Sequence, residues 1–131
     1  MSAPAGSAID LAHLVRLPGD AAPSFAVPHS NYVLELMAAP GAAGKVQGRI
    51  TARALKVHLA QGGGVFIEPL QGAPRIVQGR VLATDAVTNR ILANVVVPMW
   101  IAVPDGQAAS AFRHGDLVNF YVESGARLEP A

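Results

Sequence analysis

The residues able to do chemistry in this chain are few, and their spacing limits what they can do. The histidines are His13, His29, His58 and His114, scattered along the chain without metal-ligand spacing. There is no cysteine, which excludes disulfides, thiolate metal sites and cysteine nucleophiles. Neither G-x-S-x-G nor H-E-x-x-H occurs. "QGGGVF" at 61–66 lacks the Lys-Ser/Thr ending of a phosphate loop and leads into a strand pattern. His114-Gly115-Asp116 reads as a turn rather than an acid–base pair. No catalytic residue, metal or cofactor is expected, and the chain is not read as an enzyme.

The arginines are more informative. Residues 45–90 hold seven Lys or Arg against two acids, a net of +5 inside a chain whose overall charge is +1. Arg49, Arg53, Lys56 and Arg80 fall at alternating or near-alternating positions of strand-like segments, and arginine suits phosphate contact and base stacking. Single-stranded nucleic acid also needs aromatic platforms. Tyr32, Phe66, Trp100 and Tyr121 are the candidates, with Phe66 and Phe120 assigned to the core. Aromatics are only 5% of the chain, which is lean for such a surface. The nucleic-acid set is therefore Arg49, Arg53, Lys56, Arg80 and Trp100.

The elements that must position these residues are strands. "KVQGRI" at 45–50 is echoed by "IVQGRV" at 76–81. In the first, Val46, Gly48, Ile50 and Ala52 share one face, and Gln47, Arg49, Thr51 and Arg53 the other. The alternation then slips by one residue, so that Leu55, Val57 and Leu59 become the apolar set, as a β-bulge would cause. In the second, Val77, Gly79, Val81 and Ala83 point inward, with Gln78, Arg80 and Thr84 outward. A strand glycine permits close approach and a sharp coil. The two copies are expected to take equivalent places in one small closed sheet, their outward arginines forming one face if the strands are neighbours.

Further along, "DAVTN" at 85–89 reads as a hairpin turn. "RILANVVVPMWIAV" at 90–103 reads as a long strand apolar on both faces, edged or bent at Pro98. Leu92, Val96 and Trp100 on its second face are the expected oligomer interface. With 15% charged and 51% hydrophobic residues, the chain has few charges to cover its surface, so self-association is expected. "DGQAASAFRHGD" reads as a polar loop with a helical turn at 107–113.

The 131 residues make one domain. Residues 1–28 read as an N-terminal arm with one short helix over "AIDLAHLVR", capped by Ser7 and stopped by Pro18-Gly19. Residues 29–126 form the single β domain and 127–131 a tail. The N-terminus lacks the pattern of a secretory signal, and no run approaches the ~20 apolar residues of a membrane span. A cytoplasmic location without membrane contact is the expectation.

"VQGRVLATDAVTNRILANVVV" followed after a loop by "FRHGDLVNFYVES" resembles the OB-fold, over roughly residues 45–124. The resemblance implies a mainly β, five-stranded Greek-key barrel, closed or partly open and often a binder of oligonucleotides or oligosaccharides. The strand candidates number six or seven, more than that fold requires. The "HGDLVNFYVES" turn is also similar to that of double-psi and other cradle-loop barrels, the alternative topology. The functional expectation is a self-associating binding module with single-stranded nucleic acid as ligand. The alternative is an assembly protein that works through its apolar strand face and binds no nucleic acid.

Overall fold

A computed structural model describes residues 8–19 and 21–131, and half of these lie in strands, with one short 3-10 turn as the single helical piece among them. In chain order the strands are β1 (Ala12–Arg16), β2 (Ser24–Ala26), β3 (Val33–Glu35), β4 (Gly44–Leu59), β5 (Phe66–Glu68), β6 (Gln71–Gly72), β7 (Ile76–Asp85), β8 (Arg90–Asn94), β9 (Pro98–Ala102), β10 (Leu117–Val122) and β11 (Arg127–Pro130). One 3-10 turn, Ala109–Ala111, interrupts the loop before β10. No helix among the described residues is long and apolar enough to cross a membrane.

Everything is organised on β4, the longest strand at 16 residues. Along one side of it lie β1 and then β9; along the other lie β11 and then β10. Its second half belongs to a ring of five strands, β4–β10–β7–β8–β9 and back to β4, with the β9–β4 pair parallel. Its first half belongs to a second circuit. There β4 pairs with β1, β1 with β2, and β2 with β3, and Met37 just beyond β3 bridges to Arg127 of β11, which returns to β4. That closure is made by Met37 donating to the Ala126 carbonyl at 2.9 Å and accepting from the Leu128 amide at 2.8 Å. β6 pairs in parallel with β3, while β5 pairs with β7, so the 66–72 segment ties the second circuit back to the ring.

Period-2 alternation explains why these residues form these strands. In β4, Gly48, Ile50, Ala52 and Ala54 are buried, then Val57, three residues on. The register against β10 slips at that point, between Val57 paired to Phe120 and Ala54 paired to Val122. The expected bulge is therefore present. Leu55 and Leu59 do not join the core with Val57: they are 57% and 64% exposed. The bulge turns Leu55 outward, and Leu59 is the last residue of the strand. Ile50, Val77, Val81, Ile91, Ala93, Met99, Ile101, Val118 and Phe120 fill the ring; Ala12, Leu14, Phe25, Leu34, Leu36 and Leu128 belong to the second circuit, and the two cores are continuous.

Several expectations from the sequence are corrected. No N-terminal helix is seen: residues 12–16 are β1, with Ala12 and Leu14 buried and His13 exposed between them. The alternation, together with ladder bonds to β4, outweighs the helical spacing of Leu11, Leu14 and Val15. Ser7, the expected cap, lies outside the described residues. Residues 24–26 and 127–130 also sit in the sheet, as β2 and β11, rather than in an arm and a tail. The long strand at 90–103 is two antiparallel strands, β8 and β9, joined by a tight turn at 95–97 in which the Val95 amide donates to the Val97 carbonyl. The buried odd positions continue through that turn, which is why the pattern reads as one strand.

The repeated V-Q-G-R segment has a steric explanation. A Cβ on Gly48 would run into the Glu129 carbonyl oxygen and lie 2.8 Å from Leu128 Cδ1; one on Gly79 would lie 2.8 Å from both the Asn94 carbonyl oxygen and Val95 Cγ2. Each glycine marks a place where a neighbouring strand crosses too closely for a side chain. The two strands are not neighbours, however. β10 separates β4 from β7 on one side, and β9 and β8 separate them on the other, so they stand as far apart as a ring of five permits.

Candidate nucleic-acid interface

The outer face of β4 carries Gln47, Arg49, Thr51 and Arg53. Register fixes what lies beside them. Thr51 is flanked by Arg127 of β11 and by Trp100 of β9, and Trp100 is flanked in turn by Leu92 of β8. One row further along, Arg53 lies beside Ala102, Ala102 beside Arg90, and Arg90 beside Asp85. Three strands thus bring four arginines, 49, 53, 90 and 127, around the chain's one tryptophan on a fourth. A shallow depression of about 220 Å3 lies among Thr51, Arg53, Arg90, Trp100, Ser124 and Arg127.

The tryptophan is held on two sides. Its indole Nε1 donates to Asp10 Oδ2 at 2.9 Å, and the Arg90 guanidinium lies over its ring, 4.6 Å from the centroid. Cations favour that position because the ring face is electron-rich. Arg90 is itself set by Thr88, whose Oγ1 accepts from Nε at 2.9 Å, and by Asp85, 3.8 Å from a terminal nitrogen. The Asp85 carboxylate also accepts from the Val87 and Thr88 amides, so the expected 85–89 turn is what aims Arg90. Arg49 Nε donates to the same Asp10 oxygen at 2.9 Å. Burial would raise the Asp10 pKa, but the Trp100 hydrogen bond, the Arg49 hydrogen bond and the Arg49 charge outweigh it and hold the carboxyl below the ordinary aspartate value.

Arg53 reaches Glu123 at 3.4 Å with its side chain 75% exposed, a pairing too wet to hold it against a ligand phosphate. Arg127 makes no ion pair among the described residues. The face is therefore a mixture of arginines fixed by carboxylates and arginines free to move, arranged beside an aromatic ring.

Of the residues singled out from the sequence, Arg49, Arg53 and Trp100 come together here. Lys56 lies in the bulge of β4, away from this cluster. Arg80 lies on β7, where it donates to the Gly115 carbonyl at 3.0 Å. Gln78, expected to point to water beside it, is 6% exposed. Its amide nitrogen donates to the Gly62 and Gly64 carbonyls and its oxygen accepts from Asn119, so it pins the glycine loop across the outside of β7. The Leu92, Val96 and Trp100 set does not present a continuous apolar face: Leu92 is 1% exposed, Val96 sits in the 95–97 turn, and Trp100 is engaged as described. Tyr32 spends its hydroxyl accepting from the Ile67 amide. Sequence reasoning missed Asp10, Arg90 and Arg127. Their positions follow from lateral strand order, which no local pattern encodes.

Asp116 is a turn residue, its carboxylate accepting from the Arg113 amide, and Gly115 beside it has φ +90. No group of three or more His, Cys, Asp or Glu among the described residues is placed to hold a metal ion. A cleft of about 410 Å3 between β1 and the start of β4 gathers His13, His29, Lys45 and Gln47. Another, of about 190 Å3, is lined mostly by apolar residues such as Leu36, Met37, Pro74 and Ala126. Neither surrounds an aromatic platform. Comparisons with protein-family models, with curated proteins and with solved structures find no match to this chain.

Proposed function

We propose that this chain is a non-catalytic binding module, an OB-like barrel that takes single-stranded nucleic acid on the outer face formed by β11, β4, β9 and β8. The observation that carries the reading is the convergence of Arg49, Arg53, Arg90 and Arg127 on Trp100. Guanidinium groups at strand spacing suit successive phosphates, and the ring offers a sequence-tolerant surface for a base. The five-membered strand ring supports the barrel reading, since five strands are what the OB-fold closes. A rigid sheet rather than a loop displays the arginines, which favours recognition of an extended ligand over a folded one.

The test is anisotropy of a fluorescein-labelled oligo-dT, read together with emission from the single tryptophan, at low and raised salt. Arg53→Ala with Arg127→Ala should weaken binding about tenfold or more and shrink the salt slope by about 1.4, roughly 0.7 for each lost phosphate contact on a single strand. Affinity unchanged by the double substitution, or absent at low salt, ends the reading.

A second reading has an observation of its own. Leu55 and Tyr121 are each more than half exposed, Leu55 in the bulge of β4 and Tyr121 opposite it on β10. They would seat a second copy of the chain, replacing the Leu92/Val96/Trp100 face as the assembly surface. Light scattering decides: a dimer that Leu55→Ser with Tyr121→Ser converts to monomer supports it, and a monomer at high concentration removes it.

A further inference from the structure

We propose that Asp10 holds the place of a ligand phosphate on the Arg49–Trp100 pair, so that an oligonucleotide must displace it to bind; this rests on the nucleic-acid reading above. Two donors from different strands, Arg49 Nε of β4 and Trp100 Nε1 of β9, converge on the single oxygen Oδ2 at 2.9 Å each. An anionic oxygen meeting a guanidinium and an indole N–H is what a phosphate oxygen would supply at the same point. The occupant comes from the chain's own leading segment, not from the sheet. Asp10 precedes β1, in a turn where the Leu11 amide donates to the Ala8 carbonyl. The ladder with β4 starts only at Ala12 opposite Gly48. The carboxylate can therefore withdraw without breaking a strand pair. The pair is also reachable from water, with side-chain exposures of 42% for Arg49 and 19% for Asp10.

The arrangement sets a threshold on affinity. A ligand that offers one phosphate exchanges one charge-assisted bond for another and gains little. A ligand that also reaches Arg53, Arg90 and Arg127 gains the difference. The face thus favours chains of phosphates over single anions.

Asp10→Asn keeps the shape and removes the charge. Fluorescein-labelled oligo-dT should bind this variant about tenfold tighter than the wild-type chain, the worth of one charge-assisted hydrogen bond that no longer has to be broken. The indole N–H resonance of Trp100 gives an independent readout. It should start at different positions in the two proteins and converge at saturation, because the same phosphate then occupies both. Equal or weaker binding by Asp10→Asn, with the wild type binding normally, overturns the proposal and leaves the nucleic-acid reading standing. Binding by the variant alone supports the proposal. If neither protein binds at low salt, both ideas fall. Should the variant not fold, Asp10→Ala, which also removes the carboxylate, takes its place in both measurements with the same expected outcomes.

Discussion

The two circuits that share β4 are closed in different ways. The ring is sealed by ladders that each span several residue pairs, two of them with a bulge. The N-terminal circuit is sealed by one bridge, at Met37, a residue 53% exposed. Both are filled by an aromatic that is fully buried, Phe120 in the ring and Phe25 in the N-terminal circuit. Both hold a V-Q-G-R glycine against a carbonyl. The lesson is that the same local devices serve a strongly and a weakly closed layout, and that the arginines and the tryptophan of the proposed interface sit at the junction of the two. Arg127 belongs to the strand that closes the weak circuit, and Trp100 to the strand that closes the strong one.

That contrast can be broken or sharpened by experiment. The largest effects are expected from Phe120→Ala and Phe25→Ala, each costing about 3–5 kcal/mol by loss of burial and the cavity left behind. In urea titrations Phe120→Ala should lower the single main transition. Phe25→Ala should add an earlier, partial one if the bridge at Met37 lets its circuit open alone. Identical single transitions in both variants would show that the continuous core makes the two circuits one cooperative unit.

Next come the glycines. Gly48→Ala and Gly79→Ala each place a methyl group on a neighbouring backbone carbonyl and a branched side chain, which should destabilise by about 1–3 kcal/mol. If the weaker circuit yields more easily, Gly48→Ala will be the milder of the two although its contact is the tighter. Equal losses in chemical denaturation would argue that closure strength does not govern local compliance.

The smallest effect concerns Asp10, whose turn leads into the weak circuit and whose bonds reach into the strong one. Its carboxyl pKa is lowered in the folded chain, so its stabilisation is complete above the unfolded-state value of about 3.9 and is lost as pH falls through the folded value. The stability gap between wild type and Asp10→Asn should be constant near neutrality and close on acidification below about pH 4. A gap that persists at the acid end would mean the asparagine disturbs packing rather than charge.

Much of this architecture could be read in the chain. The alternation of 46, 48, 50 and 52, its slip before Val57, the inward glycines and the turns at 85–89 and 114–116 are local, and local patterns record them. The rest depended on partners distant in sequence. Residues 12–16 carry apolar side chains that suit either a helix stripe or a strand, and only the free edge of β4 decides between them. Gln78 looks solvent-facing until the glycine loop is folded over it. Arg90 and Arg127 lie 37 residues apart, and nothing local says that β11 and β8 would bring them to the same tryptophan. Half of the candidate site, Arg49, Arg53 and Trp100, was legible because each sits at an outward position of a recognisable strand. The other half was contributed by lateral neighbours.

The loop between β9 and β10 carries one more consequence. Gln107 accepts from the Val57 amide and donates to the Val57 carbonyl, both at 2.8 Å, on the side of β4 that β9 has already left. A carboxamide is a peptide group on a tether, so one side chain does there what a further ribbon would otherwise do. Backbone seams are indifferent to sequence, whereas this stitch depends on the identity of residue 107. Glutamate, with the same reach, would set oxygen against oxygen at the Val57 carbonyl and leave the seam half undone.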